Sequence, residues 1–182
     1  GKEFNGDHVL YGANVKGSSA LWGATIMGNA ALSYADLEGA DILWQSRVEG
    51  DSVLEGVIAK GKYVLFDSRV IGDSALLNAT VEGDYALGCA MVEGGYALMD
   101  ATIKGPNVLR DLLVRGDHAL ARALVSGDAA LIGARIEGDQ ALEGVVLNDC
   151  STEYGTQMYI GDRKDNDDEY GDLFAKLVWS KE

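Results

Sequence analysis

Apolar and polar positions recur along this chain with a period of eleven residues, from Gly6 to Asn148. Each unit begins with glycine and carries leucine at its fifth place, and its apolar eighth and tenth places are separated by a polar residue, as in 79–81 (Ala-Thr-Val). Apolar residues at every second position are typical of a half-buried strand. A glycine in every unit would weaken a helix by about 1 kcal/mol each time. The pattern therefore predicts thirteen short strands joined by glycine-aspartate turns.

The charged residues at the eleventh place indicate how these units stack. If consecutive units were neighbours, Glu38 would lie on Glu49, and like charges on neighbouring strands destabilise a sheet. If alternate units are neighbours, one column alternates in sign through Lys16, Glu38, Lys60, Glu82 and Lys104. We therefore predict an all-β fold, a single parallel β-solenoid of thirteen 11-residue units with two units, or 22 residues, in each coil. At the usual strand spacing the rod would be about 31 Å long.

The segments on either side of the repeats are predicted to close the array. Residues 1–5 form a lead-in, 6–148 the solenoid, and 149–182 a C-terminal cap with a terminal strand, an acidic loop and a helix over about 167–179. Apolar residues follow the spacing of an amphipathic helix, at Tyr170, Leu173, Phe174, Leu177 and Val178. Because an open solenoid end exposes strand edges, this helix is expected to cover it or to form a homodimer contact.

A column of aromatic residues is the best candidate for a binding surface. With 22 residues in each coil, Trp22, Trp44 and Phe66 fall at the same place of successive coils, and Arg47 and Arg69 follow on the same side. Aromatic and guanidinium groups supply much of the binding energy in protein interfaces, and aromatic rings also stack on sugars. The alternative is that the rings stabilise the coils by stacking on one another.

Second-place aspartates could, in principle, hold calcium, which takes six to eight oxygen ligands. The chain lacks the nine-residue period of calcium-binding β-rolls, so we favour aspartates that hydrogen-bond their own turns. We find no phosphate loop, dinucleotide fingerprint or metal-ligand cluster, so no cofactor and no catalytic residue is predicted. Cys89 and Cys150 are expected to be free thiols. The array also lacks insertions that could build a catalytic cleft, so we do not expect an enzyme.

Net charge and hydropathy limit the partners. A net charge of −14 disfavours direct binding to nucleic acid or to an anionic membrane surface. No apolar run approaches the roughly 18 residues of a membrane span. Basic proteins and neutral ligands remain as candidates.

The repeat resembles the β-solenoid repeat proteins as a class, and within it the pentapeptide-repeat proteins, which also pair alanine and leucine at a short fixed spacing. It departs from them in period, because eleven is not a multiple of five. We therefore expect a binding or scaffold module whose rigid faces engage a protein or a glycan. Some acidic pentapeptide-repeat proteins mimic duplex DNA, so the resemblance implies an alternative, an acidic inhibitor of a DNA- or RNA-binding protein. A structural or surface spacer is the third hypothesis.

Overall fold

The computed structural model describes residues 1–150 and 159–161, and within these residues the chain forms strands and turns without a helix. Fifteen strands of three residues follow one another. They are β1 (Glu3–Asn5), β2 (Asn14–Lys16), β3 (Thr25–Met27), β4 (Asp36–Glu38), β5 (Arg47–Glu49), β6 (Ile58–Lys60), β7 (Arg69–Ile71), β8 (Thr80–Glu82), β9 (Met91–Glu93), β10 (Thr102–Lys104), β11 (Leu113–Arg115), β12 (Leu124–Ser126), β13 (Arg135–Glu137), β14 (Val146–Asn148) and β15 (Tyr159–Gly161).

The strands form two parallel sheets that are wound as one solenoid. Odd-numbered strands make an eight-stranded sheet and even-numbered strands a seven-stranded sheet, each in chain order. Paired residues are 22 positions apart, as Val48 and Val70 are in β5 and β7. The predicted all-β parallel solenoid with 22 residues in each coil is therefore confirmed. Eight strands at the usual spacing make a rod about 34 Å long.

The strands β2 to β14 occupy the ninth to eleventh places of the units, and from β3 to β13 each strand buries only its tenth residue. Ile26, Val48 and Val70 at the tenth place have no exposed surface, whereas the residues on either side face solvent to varying degrees. The fourth, fifth and eighth places complete the core, and burial of one leucine contributes about 1.5–3 kcal/mol. Two eighth-place serines are also buried, and the hydroxyl groups of Ser46 and Ser68 both donate to the carbonyl oxygen of Leu43.

The eight residues between strands form overlapping turns. The N–H of the sixth place donates to the carbonyl of the third, and the N–H of the eighth place donates to that of the fifth, as in Phe66 to Tyr63 at 3.2 Å and Ala79 to Leu76 at 3.1 Å. A positive φ at the third residue of such a turn defines type II. The third and seventh places of all thirteen units have positive φ, as does the fifth place in the units from Leu10 to Leu76 and at Leu98.

The peptide group before the fifth-place leucine reverses its direction part of the way along the rod. Leu65 donates its N–H to Ile42 of the preceding coil, whereas Leu87, which has no positive φ, donates to Val108 of the following coil. A trans peptide points its carbonyl opposite to its N–H. The carbonyl groups of Val64 and Ala86 therefore point toward each other, and neither accepts a backbone N–H from the described residues.

Ala97 and Ala119 repeat this arrangement on the other stack of turns, because Leu98 donates to Ala75 of the preceding coil and Leu120 to Ala141 of the following one. The two reversals lie at different levels of the rod.

The first-place glycines allow successive coils to approach closely. A Cβ atom on Gly72 would lie 1.9 Å from the carbonyl oxygen of Gly50, and one on Gly94 would lie 2.1 Å from that of Gly72. Both glycines also have a positive φ, of 150° and 144°. The unbroken glycine column is thus a requirement of coil stacking as well as of turn geometry.

At the ends of the array, the predicted lead-in contributes strand β1, which pairs with β3 and packs Phe4 against the core. At the other end β15 pairs with β13. The predicted cap helix and its apolar residues Tyr170, Leu173, Phe174, Leu177 and Val178 lie outside the described residues. The thiols of Cys89 and Cys150 are free, and burial raises the pKa of both.

Candidate functional site

The solenoid brings the predicted aromatic column together. Ring centroids are 6.4 Å apart for Trp22 and Trp44, and 5.7 Å apart for Trp44 and Phe66. All three side chains occupy the sixth place of even-numbered units, counting units from Gly6. We call the stack of turns in the even-numbered units the strip edge.

Tyr63 and Tyr85 extend this column, and the sequence analysis missed them. Tyr63 lies 5.7 Å from Trp44, 5.3 Å from Phe66 and 5.6 Å from Tyr85, measured between ring centroids. Their signal was present, because both tyrosines stand at the third place of even-numbered units. A third-place residue is joined to a sixth-place residue by the turn hydrogen bond from Phe66 to Tyr63. The aromatic strip is defined hereafter as Trp22, Trp44, Tyr63, Phe66 and Tyr85.

The rings of the aromatic strip are packed and only partly exposed. Trp22 is 59% exposed, and Trp44, Tyr63, Phe66 and Tyr85 are half-buried. Trp44 and Tyr63 are tilted by 32°, while Phe66 meets both of these rings nearly edge-on, at 80° and 81°. Each ring therefore covers part of the next one, which holds it in a fixed orientation.

Small and charged neighbours shape the strip. A Cβ atom on Gly88 would lie 2.9 Å from the ring of Phe66, so the absence of a side chain at Gly88 makes room for this ring. The ammonium group of Lys62 lies 4.8 Å from the centroid of the Tyr63 ring and 3.6 Å from Asp84, a cation–π contact combined with an ion pair.

Arg47 and Arg69 lie on the neighbouring sheet, in register with each other in β5 and β7. Arg47 forms an ion pair with Glu49 at 2.6 Å, and Arg69 pairs with Glu93 at 3.3 Å. These carboxylates compensate the repulsion between two adjacent arginines. Among the described residues neither guanidinium lies over a ring of the strip.

Ion pairs also neutralise the charges on the sheet of even-numbered strands. The alternating column predicted at the eleventh place is present, with ion pairs of 2.8 Å between Lys16 and Glu38 and 3.1 Å between Lys60 and Glu82. Its hydrogen bond to Lys16 lowers the pKa of Glu38, and the same bond raises the pKa of Lys16. Exposed pairs of this kind contribute little to stability, because water screens them.

Four of the second-place aspartates bind the neighbouring coil rather than their own turns. Asp51 Oδ1 accepts the backbone N–H of Asp73 at 3.2 Å, and Asp73 Oδ1 accepts that of Gly95 at 2.9 Å. Asn29 continues this ladder with its side-chain amide. No group of three or more His, Cys, Asp or Glu side chains in the described chain is arranged to hold a metal ion.

The net negative charge of the repeats is concentrated on the turns. The turns of the odd-numbered units, which we call the tyrosine edge, carry eight acidic residues and one basic residue, Arg122. The acidic ones are Asp7, Asp51, Glu55, Asp73, Asp100, Asp117, Asp139 and Glu143. The strip edge carries five acidic residues, Asp41, Asp67, Asp84, Asp111 and Asp128, and two basic residues, Lys62 and Arg110.

Tyrosine and histidine rings lie on the tyrosine edge. Tyr11 stacks between His8 and Tyr34, with centroid distances of 5.6 Å and 5.5 Å, and Tyr96 meets His118 edge-on at 5.3 Å. The three tyrosines are 49–53% exposed. His8 and His118 therefore take part in separate ring clusters.

The described residues contain no helix that is long and apolar enough to cross a membrane. Comparison of the chain with protein-family models, with curated proteins and with solved structures found no match.

Proposed function

We propose that this protein is a non-enzymatic binding module that presents the aromatic strip, on a rigid solenoid, to a protein or glycan partner. The observation that carries the proposal is the cluster of five aromatic rings, four of them half-buried, with centroids 5.3–6.4 Å apart along one edge. Trp and Tyr are the residue types enriched at the energetic centres of interfaces.

Rigidity supports this use of the strip. The backbone on either side of each ring is hydrogen-bonded to the neighbouring coils, as Gly23 is to Trp44 and Gln45 is to Phe66. A partner that binds rings already held in place loses less conformational entropy on association, because immobilising a flexible side chain costs about 0.5–1.5 kcal/mol. The strip is therefore pre-organised for binding.

The constancy of the turns supports a binding function over catalysis. Catalytic sites are commonly built on loops that project from a scaffold, whereas every turn between β1 and β14 is eight residues long. A simple spacer would have no need of partly exposed tryptophan. An acidic nucleic-acid mimic would need unpaired carboxylates on all its faces, whereas those of both sheets are largely paired with Lys or Arg and only the turns carry uncompensated negative charge.

Substitution of Trp44 and Phe66 by leucine tests the proposal. Partner capture from an extract of the source organism and a glycan array would be probed with the parent protein, with the double variant and with a matched Tyr34→Leu variant. We expect the strip variant to bind its partner about 30-fold more weakly, the effect of losing a hot spot of about 2 kcal/mol. The Tyr34 variant should bind like the parent. Equal binding by all three proteins would contradict the proposal.

A further inference from the structure

The three most exposed tyrosines of the described chain lie on the same edge of the solenoid. Tyr11, Tyr34 and Tyr96 are 50%, 53% and 49% exposed, and each occupies a turn of an odd-numbered unit. They belong to a different surface from the aromatic strip. Exposed aromatic rings gathered on one surface are characteristic of interaction sites.

Three carboxylates of the same edge are held in fixed positions. Asp51, Asp73 and Asp117 each use Oδ1 to accept the backbone N–H one coil further on, at 2.9–3.2 Å. Within the described residues, the second oxygen of each carboxylate makes no hydrogen bond to the protein. These groups are thus held in place by the backbone and keep an oxygen free for a ligand.

Charge is uncompensated on this edge in contrast to both sheets. Eight acidic residues face one basic residue, Arg122, and Arg122 is itself held by Asp100 through two hydrogen bonds of 2.7 Å and 2.5 Å. A cationic ligand is therefore attracted, whereas nucleic acid and anionic lipid are repelled.

Arginine is the cation that fits this combination of groups. Its planar guanidinium can stack on a tyrosine ring while its several N–H groups donate to free carboxylate oxygens of neighbouring coils, whereas the lysine ammonium is a strongly hydrated point charge. We infer that the tyrosine edge docks an arginine-rich segment of a partner protein along the rod. An extended segment rises about 3.3 Å for each residue, so roughly nine residues would span the described coils. This inference is independent of the aromatic strip.

Calorimetric titration with an octa-arginine peptide tests the inference, with an octa-citrulline peptide as the uncharged control of the same shape. We expect salt-dependent binding of octa-arginine and no binding of octa-citrulline. A variant that combines Asp51→Asn with Asp73→Asn keeps the ladder acceptors and should bind about tenfold more weakly. A variant that combines Tyr34→Ser with Tyr96→Ser should bind about threefold to tenfold more weakly, the usual range for lost cation–π contacts.

The matched control removes two charges from the strip edge, by Asp41→Asn with Asp111→Asn, and should bind octa-arginine like the parent. Two results would overturn the inference. An equal loss in the strip-edge control would show general attraction to an acidic protein. Octa-lysine binding as tight as octa-arginine binding, together with unchanged affinity in the tyrosine variant, would show that the rings and the guanidinium do not recognise each other. Circular dichroism of each variant establishes that the solenoid is intact.

Discussion

Asp84 and Pro106 occupy the second place of neighbouring coils on the strip edge. The equivalent positions on the tyrosine edge show which hydrogen bond is missing between them. There a second-place aspartate accepts the N–H one coil further on, at 3.2 Å from Asp73 to Asp51. Pro106 is the only proline of the chain, and proline has no N–H. Asp84 Oδ1 is accordingly buried without a hydrogen-bond partner in the described chain.

The substitution Pro106→Ala restores the missing donor. A hydrogen bond to a charged acceptor contributes about 1.5–3 kcal/mol, while releasing the restraint of proline on the unfolded chain costs about 0.4–1 kcal/mol. We therefore expect the free energy of unfolding to rise by about 0.5–2.5 kcal/mol. In a chain of this size each 1 kcal/mol raises the Tm by about 2–4 °C.

A double-mutant cycle measures the contact itself. Urea unfolding followed by circular dichroism would be recorded for the parent, for Pro106→Ala, for Asp84→Ala and for the double variant. Without Asp84 the new N–H has no acceptor, so Pro106→Ala should then lower the free energy of unfolding by about 0.4–1 kcal/mol. The effect of one substitution thus changes sign with the background. The same sign in both backgrounds would refute the assignment of Pro106 as the missing donor.

Further predictions concern coil contacts and charge. Gly94→Ala places a Cβ 2.1 Å from a carbonyl oxygen of the preceding coil and should lower the free energy of unfolding by at least about 3 kcal/mol, whereas Gly95→Ala makes only an ordinary 3.5 Å contact and should melt like the parent. Glu38→Lys puts three lysines in register on one sheet and should lower the Tm slightly, by an amount that shrinks when melts are repeated at high salt; an effect independent of salt would contradict this origin. Arg122→Gln should lower the free energy of unfolding slightly at neutral pH. The hydrogen bond from Arg122 lowers the pKa of Asp100 below its usual value, so this stabilisation is present above the unfolded-state pKa and is lost as pH falls through the folded-state pKa; a difference that persists in strong acid would rule out the ion pair as its cause.

The architecture was predictable because its strongest constraints are repeated in every unit. The eleventh-place charges distinguish 11-residue from 22-residue coils, since Lys16 and Glu38 become neighbours only in the longer coil, and the structure pairs them at 2.8 Å. The same 22-residue register places Trp22, Trp44 and Phe66 in one column, and the structure brings their rings into contact.

The turns were less predictable because their conformation runs against residue preference. Type II geometry places the leucine Leu65 at a φ of 59°, a region that most non-glycine residues avoid at a cost of about 1–2 kcal/mol. Only the seventh place indicates a positive φ from the sequence. Some units have glycine there, and others have Asp67 or Asn78, residue types that tolerate a positive φ. The coil-to-coil role of the aspartates was missed for a different reason, because Asp51 accepts a hydrogen bond from a backbone N–H that is 22 residues away in the sequence.

The reversal of the peptide groups between Val64 and Ala86 has a consequence for any attempt to lengthen or shorten the rod. On one side of this boundary the fifth-place N–H groups point toward the preceding coil, and on the other side they point toward the following coil. Each side of the boundary can therefore be extended only by coils of its own turn type. A duplicated coil would therefore take the peptide direction of the side on which it is inserted. The boundary would stay between the same two flanking coils. On the opposite edge the corresponding boundary lies between Ala97 and Ala119. Because the two boundaries lie at different levels of the rod, some coils have one peptide direction on one edge and the opposite direction on the other. Coils from the two ends are therefore not interchangeable.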